Sequence, residues 1–184
     1  MSVITCVTGT KGAGKTSFVI KTLKKNKAEN TSLVLYVGEI CRSLFQRSQN
    51  RIQECENQTT PAVTEMLVRD LVKSAIRTAT ESSMDLIIDG FPRSRQQVLC
   101  LNSWVNYYLG VERVNLVLVY TEEATIQIER VEGRGDRVGE ELNRMYDTLG
   151  RLERDAEQIT KVVESFKSLC KIDERFIYNE VNNT

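Results

Sequence analysis

The sequence predicts an α/β fold, with a five-stranded parallel sheet between layers of helices. Three observations carry that expectation. Short apolar, β-rich runs alternate with segments of helical patterning along the 184 residues. The apolar runs lack strict polar–apolar alternation, as strands do when both faces of a sheet are covered. A glycine-rich loop, Gly9-Thr10-Lys11-Gly12-Ala13-Gly14-Lys15-Thr16, falls where the first apolar run gives way to the first helical one.

In chain order, strands are expected over Val3–Val7, Leu33–Val37, Leu86–Ile88, Val114–Tyr120 and Phe176–Tyr178. Helices are expected over Lys15–Lys25, Ile40–Gln49, Ala62–Thr80, Arg95–Leu109, Glu122–Arg130 and Glu140–Cys170, the last with a break at Gly150. Val63, Met66, Leu67, Leu71, Val72 and Ile76 fall on one face of the third helix, which is the pattern of core packing. There is no internal repeat or linker, and the polar stretch Ser48–Thr60 reads as part of a mobile subregion within one domain spanning 1–184.

Composition narrows the chemistry. Lys plus Arg is 25 and Asp plus Glu is 25, so no global basic field argues for nucleic acid. No stretch is apolar enough to cross a membrane, and the first strand starts too near Met1 to leave room for a signal peptide. Cys6, Cys41, Cys55, Cys100 and Cys170 are scattered, with no C-x-x-C, as in reduced thiols; a cytoplasmic location is expected. The chain has no histidine. That removes His-dependent triads and imidazole metal ligands and leaves Lys, Arg, Asp, Glu, Thr and a metal ion. Phosphoryl transfer to a phosphate suits that set, because the acceptor is already ionised near neutral pH and needs no strong base.

The loop Gly9–Thr16 matches G-x-x-x-x-G-K-[ST] in full. Its glycines let backbone N–H groups converge on a polyphosphate. Lys15 would reach the outer phosphates, and the Thr16 hydroxyl would take a place on Mg²⁺. After the third strand comes Asp89-Gly90-Phe91-Pro92-Arg93. An acidic residue at a strand end beside a phosphate loop serves the same Mg²⁺, partly through water. Gly90 and Pro92 make a sharp turn, and Arg93 can be aimed back at phosphate. Loop and sheet together make a P-loop NTPase-type three-layer sandwich.

The Asp-Gly-Phe-Pro-Arg string with this phosphate loop resembles the adenylate kinase and uridylate–cytidylate kinase family of nucleoside monophosphate kinases. Gly38-Glu39-Ile40-Cys41-Arg42 resembles the family's Gly-Asp/Glu-Leu-Leu-Arg motif. Thr60-Pro61-Ala62-Val63 resembles its Val-Pro segment at the edge of the monophosphate site. Gly133-Arg134-Gly135-Asp136, with Arg130 before it and Arg144 after it, resembles the arginine-rich lid. The resemblance implies an acceptor-binding subregion over about 38–80 and a short lid over about 130–138. ATP would be held by Gly9, Lys11, Gly12, Ala13, Gly14, Lys15, Thr16 and Ser17. The monophosphate would be held by Gly38, Arg42, Val63, Gly90, Phe91, Arg93 and Gln97. Lys15, Arg93, Arg130, Arg134 and Arg144 would surround the transferring phosphoryl group, where an always-charged planar guanidinium is well suited. Mg²⁺ would sit at Thr16 and Asp89, and a monomer is implied.

Several positions depart from the family pattern. Lys11 stands where the family has proline, Thr16 follows Lys15 without an intervening glycine, and Asp136-Arg137 replaces paired lid aspartates. Gln97 matches the glutamine that adenylate kinases place four residues after the string's arginine, whereas Gly38-Glu39 looks more like the uridylate–cytidylate enzymes. The reading leans to AMP or dAMP as acceptor, with UMP/CMP or another deoxynucleotide as the alternative. A nucleotide-binding protein with impaired catalysis is the non-enzymatic alternative.

Overall fold

A computed structural model describes residues 1–26, 31–41, 43, 61–122, 126–127, 129–130 and 144–183; at 26, 61–64 and 144–151 only the backbone is described. Five strands, β1 (Ser2–Thr8), β2 (Ser32–Tyr36), β3 (Asp85–Asp89), β4 (Val111–Tyr120) and β5 (Phe176–Asn182), pair in the order β2-β3-β1-β4-β5. Every pairing is parallel. The helices are α1 (Lys15–Asn26), α2 (Pro61–Ser82), α3 (Arg95–Tyr107) and α4 (Arg144–Cys170), with a further helical stretch over 37–41.

Crossover direction decides which face each helix covers. The chain moves one way along the sheet from β1 to β2 and the other way at every later step. Right-handed crossovers therefore put α1 on one face and α2, α3 and α4 on the other. The core follows that division. On one face Ile4, Cys6, Leu86, Ile88, Val114 and Leu116 pack with Val72 and Ile76 of α2, Val98 and Leu101 of α3, and Val162 and Phe166 of α4. On the opposite face Val7, Val117 and Val119 pack with Val19 and Leu23 of α1. This is the expected three-layer sandwich, with one layer thinner than the other.

Element ends differ from expectation for identifiable reasons. β2 stops at Tyr36, and Val37 already belongs to the helical stretch that follows. β4 starts at Val111, earlier than expected, because its ladder with β1 already pairs Val111 and Arg113, and the exposed Glu112 and Arg113 hide this pairing from a hydrophobicity reading. β5 continues through the polar residues Asn179 and Glu180, since its ladder with β4 supplies the backbone hydrogen bonds. α4 runs unbroken through Gly150. A glycine costs a helix only about 1 kcal/mol, and burial of Ile159, Val162, Phe166 and Leu169 outweighs it. α3 begins on Ser94, whose hydroxyl accepts from the Gln97 N–H at 3.2 Å, a capping contact the sequence does not announce.

Because all five strands run the same way, the segments after each strand gather at one sheet edge. Ligands of open parallel sheets bind beyond that edge.

Candidate functional site

The phosphate loop leaves β1 and enters α1, so the N-terminus of α1 faces whatever the loop encloses. Two glycines are required by close approach. Gly9 has φ +147°, and a Cβ there would lie 2.1 Å from the Val119 carbonyl oxygen of β4. Gly14 has φ +82°, with Asn183 Nδ2 2.1 Å from where its Cβ would be. The Lys15 ammonium donates to the loop's own carbonyls, Gly9 O at 2.9 Å and Thr10 O at 2.7 Å.

The β1–β3 register sets Val7 opposite Asp89, which brings Asp89 beside the loop. Thr16 Oγ1 donates to Asp89 Oδ2 at 2.5 Å, and Asp89 is 7% exposed. Hydroxyl and carboxylate form a hard-oxygen pair, the donor type Mg²⁺ selects, so the residues present fit the ion. When bound, that ion neutralises phosphate charge. Among the described residues no group of three or more His, Cys, Asp or Glu could hold a metal by itself, so the nucleotide would have to complete the coordination. Tyr36 ends β2 opposite Asp89. Burial first, then the Asp89 and Glu39 carboxylates, push its hydroxyl above the ordinary range.

The turn after β3 is pinned twice to the end of β1. Gly90 N–H donates to Val7 O at 2.9 Å, and Thr8 Oγ1 donates to Pro92 O at 2.7 Å. Arg93 is exposed, with its Nε donating to Gly90 O at 3.1 Å. Its backbone N–H donates to Gln97 Oε1 at 2.7 Å. Gln97 is 4% exposed, and its Nε2 donates to Glu65 Oε2 of α2 at 2.8 Å. Phe91 is fully buried, stacked on Trp104 with centroids 6.5 Å apart, so its ring serves the core.

The segment after β4 reaches the loop as well. Gln127 Nε2 donates to Thr10 Oγ1, and Arg130 Nη1 donates to Asn183 O at 3.2 Å. Asn183, just beyond β5, donates from Nδ2 to Ala13 O at 3.1 Å and from its backbone N–H to Tyr120 O at 2.8 Å. Arg130 Nη1 lies 3.7 Å from where a Gly14 Cβ would be.

The structure therefore gathers Gly9, Gly12, Ala13, Gly14, Lys15, Thr16, Asp89 and Arg130 around one loop, with Gly90 and Arg93 on the adjoining turn. Gly38 lies on the helical stretch after β2, and Val63 and Arg144 lie on the backbones of α2 and α4. Arg42 and Arg134 lie outside the described residues, as do most of the 38–60 segment and the lid over 131–138. Sequence reasoning missed Asn183, Gln127 and Glu65. Gln127 stands three positions before Arg130 in a segment with helical residues at 126, 127, 129 and 130, a spacing that puts both on one face. Asn183 had only its place beyond a strand's carboxyl end as a signal.

The described helices include none long and apolar enough to cross a membrane. Cys6, Cys100 and Cys170 are free thiols.

Comparison with known proteins gives the group. No curated protein sequence matches the chain. A solved structure titled "Structure of the Pnkp1/Rnl/Hen1 RNA repair complex" contains a similar chain, with a TM-score of 0.56 and 13% identity. The match covers 89% of this chain but 45% of that one, so this chain spans less than half its length, and the likeness is one of fold. The Zeta toxin family model matches residues 2–184, and the chain accordingly belongs to the Zeta toxin family, within the P-loop kinase-like superfamily.

Proposed function

We propose that this protein transfers the γ-phosphoryl group of Mg·ATP to a nucleoside monophosphate, with AMP or dAMP as preferred acceptor, giving ADP and a nucleoside diphosphate. The observation that carries the reading is the adjacency of two differently equipped turns. One holds the Thr16–Asp89 oxygen pair beside the phosphate loop. The next presents the exposed Arg93 guanidinium, four residues after Asp89 and braced on Gly90 O. A cation site for a triphosphate beside a guanidinium for a second anion is what two-substrate transfer between phosphates needs.

Catalysis is positioning and electrostatics. Phosphate oxygens compete with Gly9 O and Thr10 O for the Lys15 ammonium. The N–H groups of Gly12 to Thr16 and the N-terminus of α1 hold the donor phosphates. Arg93, with Arg42, holds the acceptor phosphate, and Arg130, Arg134 and Arg144 close over the group in transit and exclude water. Residues of about 38–80 form the acceptor subregion and about 130–138 the lid. The protein acts as a cytoplasmic monomer on two small nucleotides, without nucleic acid or membrane.

The test is ADP formation from Mg·ATP with AMP, CMP, UMP, GMP, dTMP, their deoxy forms and a 5′-hydroxyl oligonucleotide offered separately. Turnover confined to one or two monophosphates is expected. Tight ATP binding with no turnover on any acceptor refutes the kinase reading and leaves a nucleotide-binding protein. Turnover on the oligonucleotide alone moves the acceptor from a phosphate to a hydroxyl.

A further inference from the structure

The acceptor side of the site contains two hydrogen-bonding groups whose orientation is fixed and whose capacity is unfilled. The Gln97 carboxamide has only one sensible orientation. The Arg93 backbone N–H can only donate, so Gln97 Oε1 must face it, as it does at 2.7 Å. Nε2 then points to α2 and donates one N–H to Glu65 Oε2 at 2.8 Å. Its second N–H has no acceptor among the described residues. The other carboxylate oxygen, Glu65 Oε1, is buried and has no hydrogen-bond partner among the described residues. A carboxylate oxygen so placed strongly favours a ligand that brings it a donor.

An unfilled acceptor, Glu65 Oε1, thus lies beside an unfilled donor on Gln97 Nε2, on a polar chain that ends at the backbone of Arg93. An aromatic amidine edge complements that pair, because its ring nitrogen accepts while the neighbouring exocyclic amino group donates. Adenine presents this edge. A keto base in the same register sets a carbonyl oxygen against the carboxylate, two acceptors face to face.

We propose that Glu65 is a specificity-determining residue that reads the acceptor's base together with Gln97: Glu65 Oε1 accepts from the exocyclic amino group while Gln97 Nε2 donates to the adjacent ring nitrogen. This rests on the monophosphate reading, in which Arg93 holds the phosphate of the same nucleotide. It differs from a strut role, in which Glu65 only steadies Gln97 and the Arg93 turn. A strut affects every acceptor alike, whereas a reader affects only those with the amino group.

The experiment is an equilibrium titration of the full chain with AMP and with purine riboside 5′-monophosphate, which lacks only the 6-amino group. AMP is expected to bind about 10- to 100-fold more tightly, the usual scale for a charge-assisted hydrogen bond left unmade. Glu65→Ala should bring that ratio close to one while keeping purine riboside monophosphate within about threefold of its wild-type affinity. Glu65→Gln, which keeps the side-chain volume, should give an intermediate ratio and guards against a misfolded alanine variant. A wild-type ratio near one, equal weakening of both nucleotides by either variant, or binding of neither nucleotide overturns the proposal. AMP bound with the expected ratio but never phosphorylated refutes the kinase reading and leaves the role of Glu65 standing. AMP phosphorylated with an unchanged ratio in the variants refutes the role of Glu65 and leaves the kinase reading standing.

Discussion

Around the phosphate loop the supporting contacts arrive from far along the chain, whereas around Arg93 most of them are local. Thr16 is held by Asp89, 73 residues away, Thr10 by Gln127, 117 away, and Ala13 by Asn183, 170 away. Arg93 itself is held by Gly90 and Gln97, three and four residues away, while the distant contacts reach its neighbours: Glu65 bonds Gln97, and Val7 and Thr8 of β1 bond Gly90 and Pro92. The difference teaches how each half tolerates change. A loop fixed by three distant segments keeps its shape when one support is lost. A side chain held by near neighbours, as Arg93 is, takes up any change in them directly.

The largest effect that sharpens this contrast is Lys15→Ala. It removes the ammonium that the proposed function assigns to the outer phosphates and should lower turnover by about 10³-fold, measured as ADP formation at saturating Mg·ATP. Next, Arg93→Ala should raise the acceptor KM by about 10²-fold while leaving ATP affinity within about twofold. Comparable loss of both would mean that the two halves are not separate. Gly9→Ala drives a Cβ into the Val119 carbonyl and should destabilise the fold by ~3 kcal/mol in urea denaturation. A smaller loss would show that the loop gives way more easily than its distant anchors imply. The smallest effect belongs to Asn183→Ala, which deletes one of three supports; it should cost ~1 kcal/mol of stability and weaken ATP about fivefold by titration.

Legibility in the sequence followed the range of the interaction. β1 and β3 could be read as apolar runs because both faces are packed, and the phosphate loop and the Asp89–Arg93 string could be read because their chemistry lies within a few consecutive residues. The sheet order was not legible in the sequence; once it is known, crossover handedness assigns each helix to a face. β4 and β5 were read too short, since Glu112, Arg113, Asn179 and Glu180 lie where backbone pairing rather than side-chain burial sustains the strand. Gly150 was read as a break because propensity was weighed without the packing of the α4 residues beyond it. Asn183, Gln127 and Glu65 act through contacts that exist only once strand ends or helices have met, and single amide or carboxylate side chains leave no periodic trace. The same limit applies to the family. Motifs that cradle phosphate are shared across P-loop kinases, so the Asp-Gly-Phe-Pro-Arg string fixes the type of site more firmly than the branch, which the family match puts with Zeta toxin. In the proposed reading the acceptor is chosen by Glu65, outside those motifs.

The central claim is that the two turns form one site in which phosphate passes between nucleotides. ATP labelled at the γ-phosphate, incubated with Mg²⁺, the protein and AMP, tests it most directly. The label should appear in ADP formed from AMP, and at AMP well below the wild-type KM Arg93→Ala should cut that transfer by about 10²-fold while ATP remains bound. Label released only as inorganic phosphate, or found on a hydroxyl acceptor and never on a mononucleotide, would contradict it.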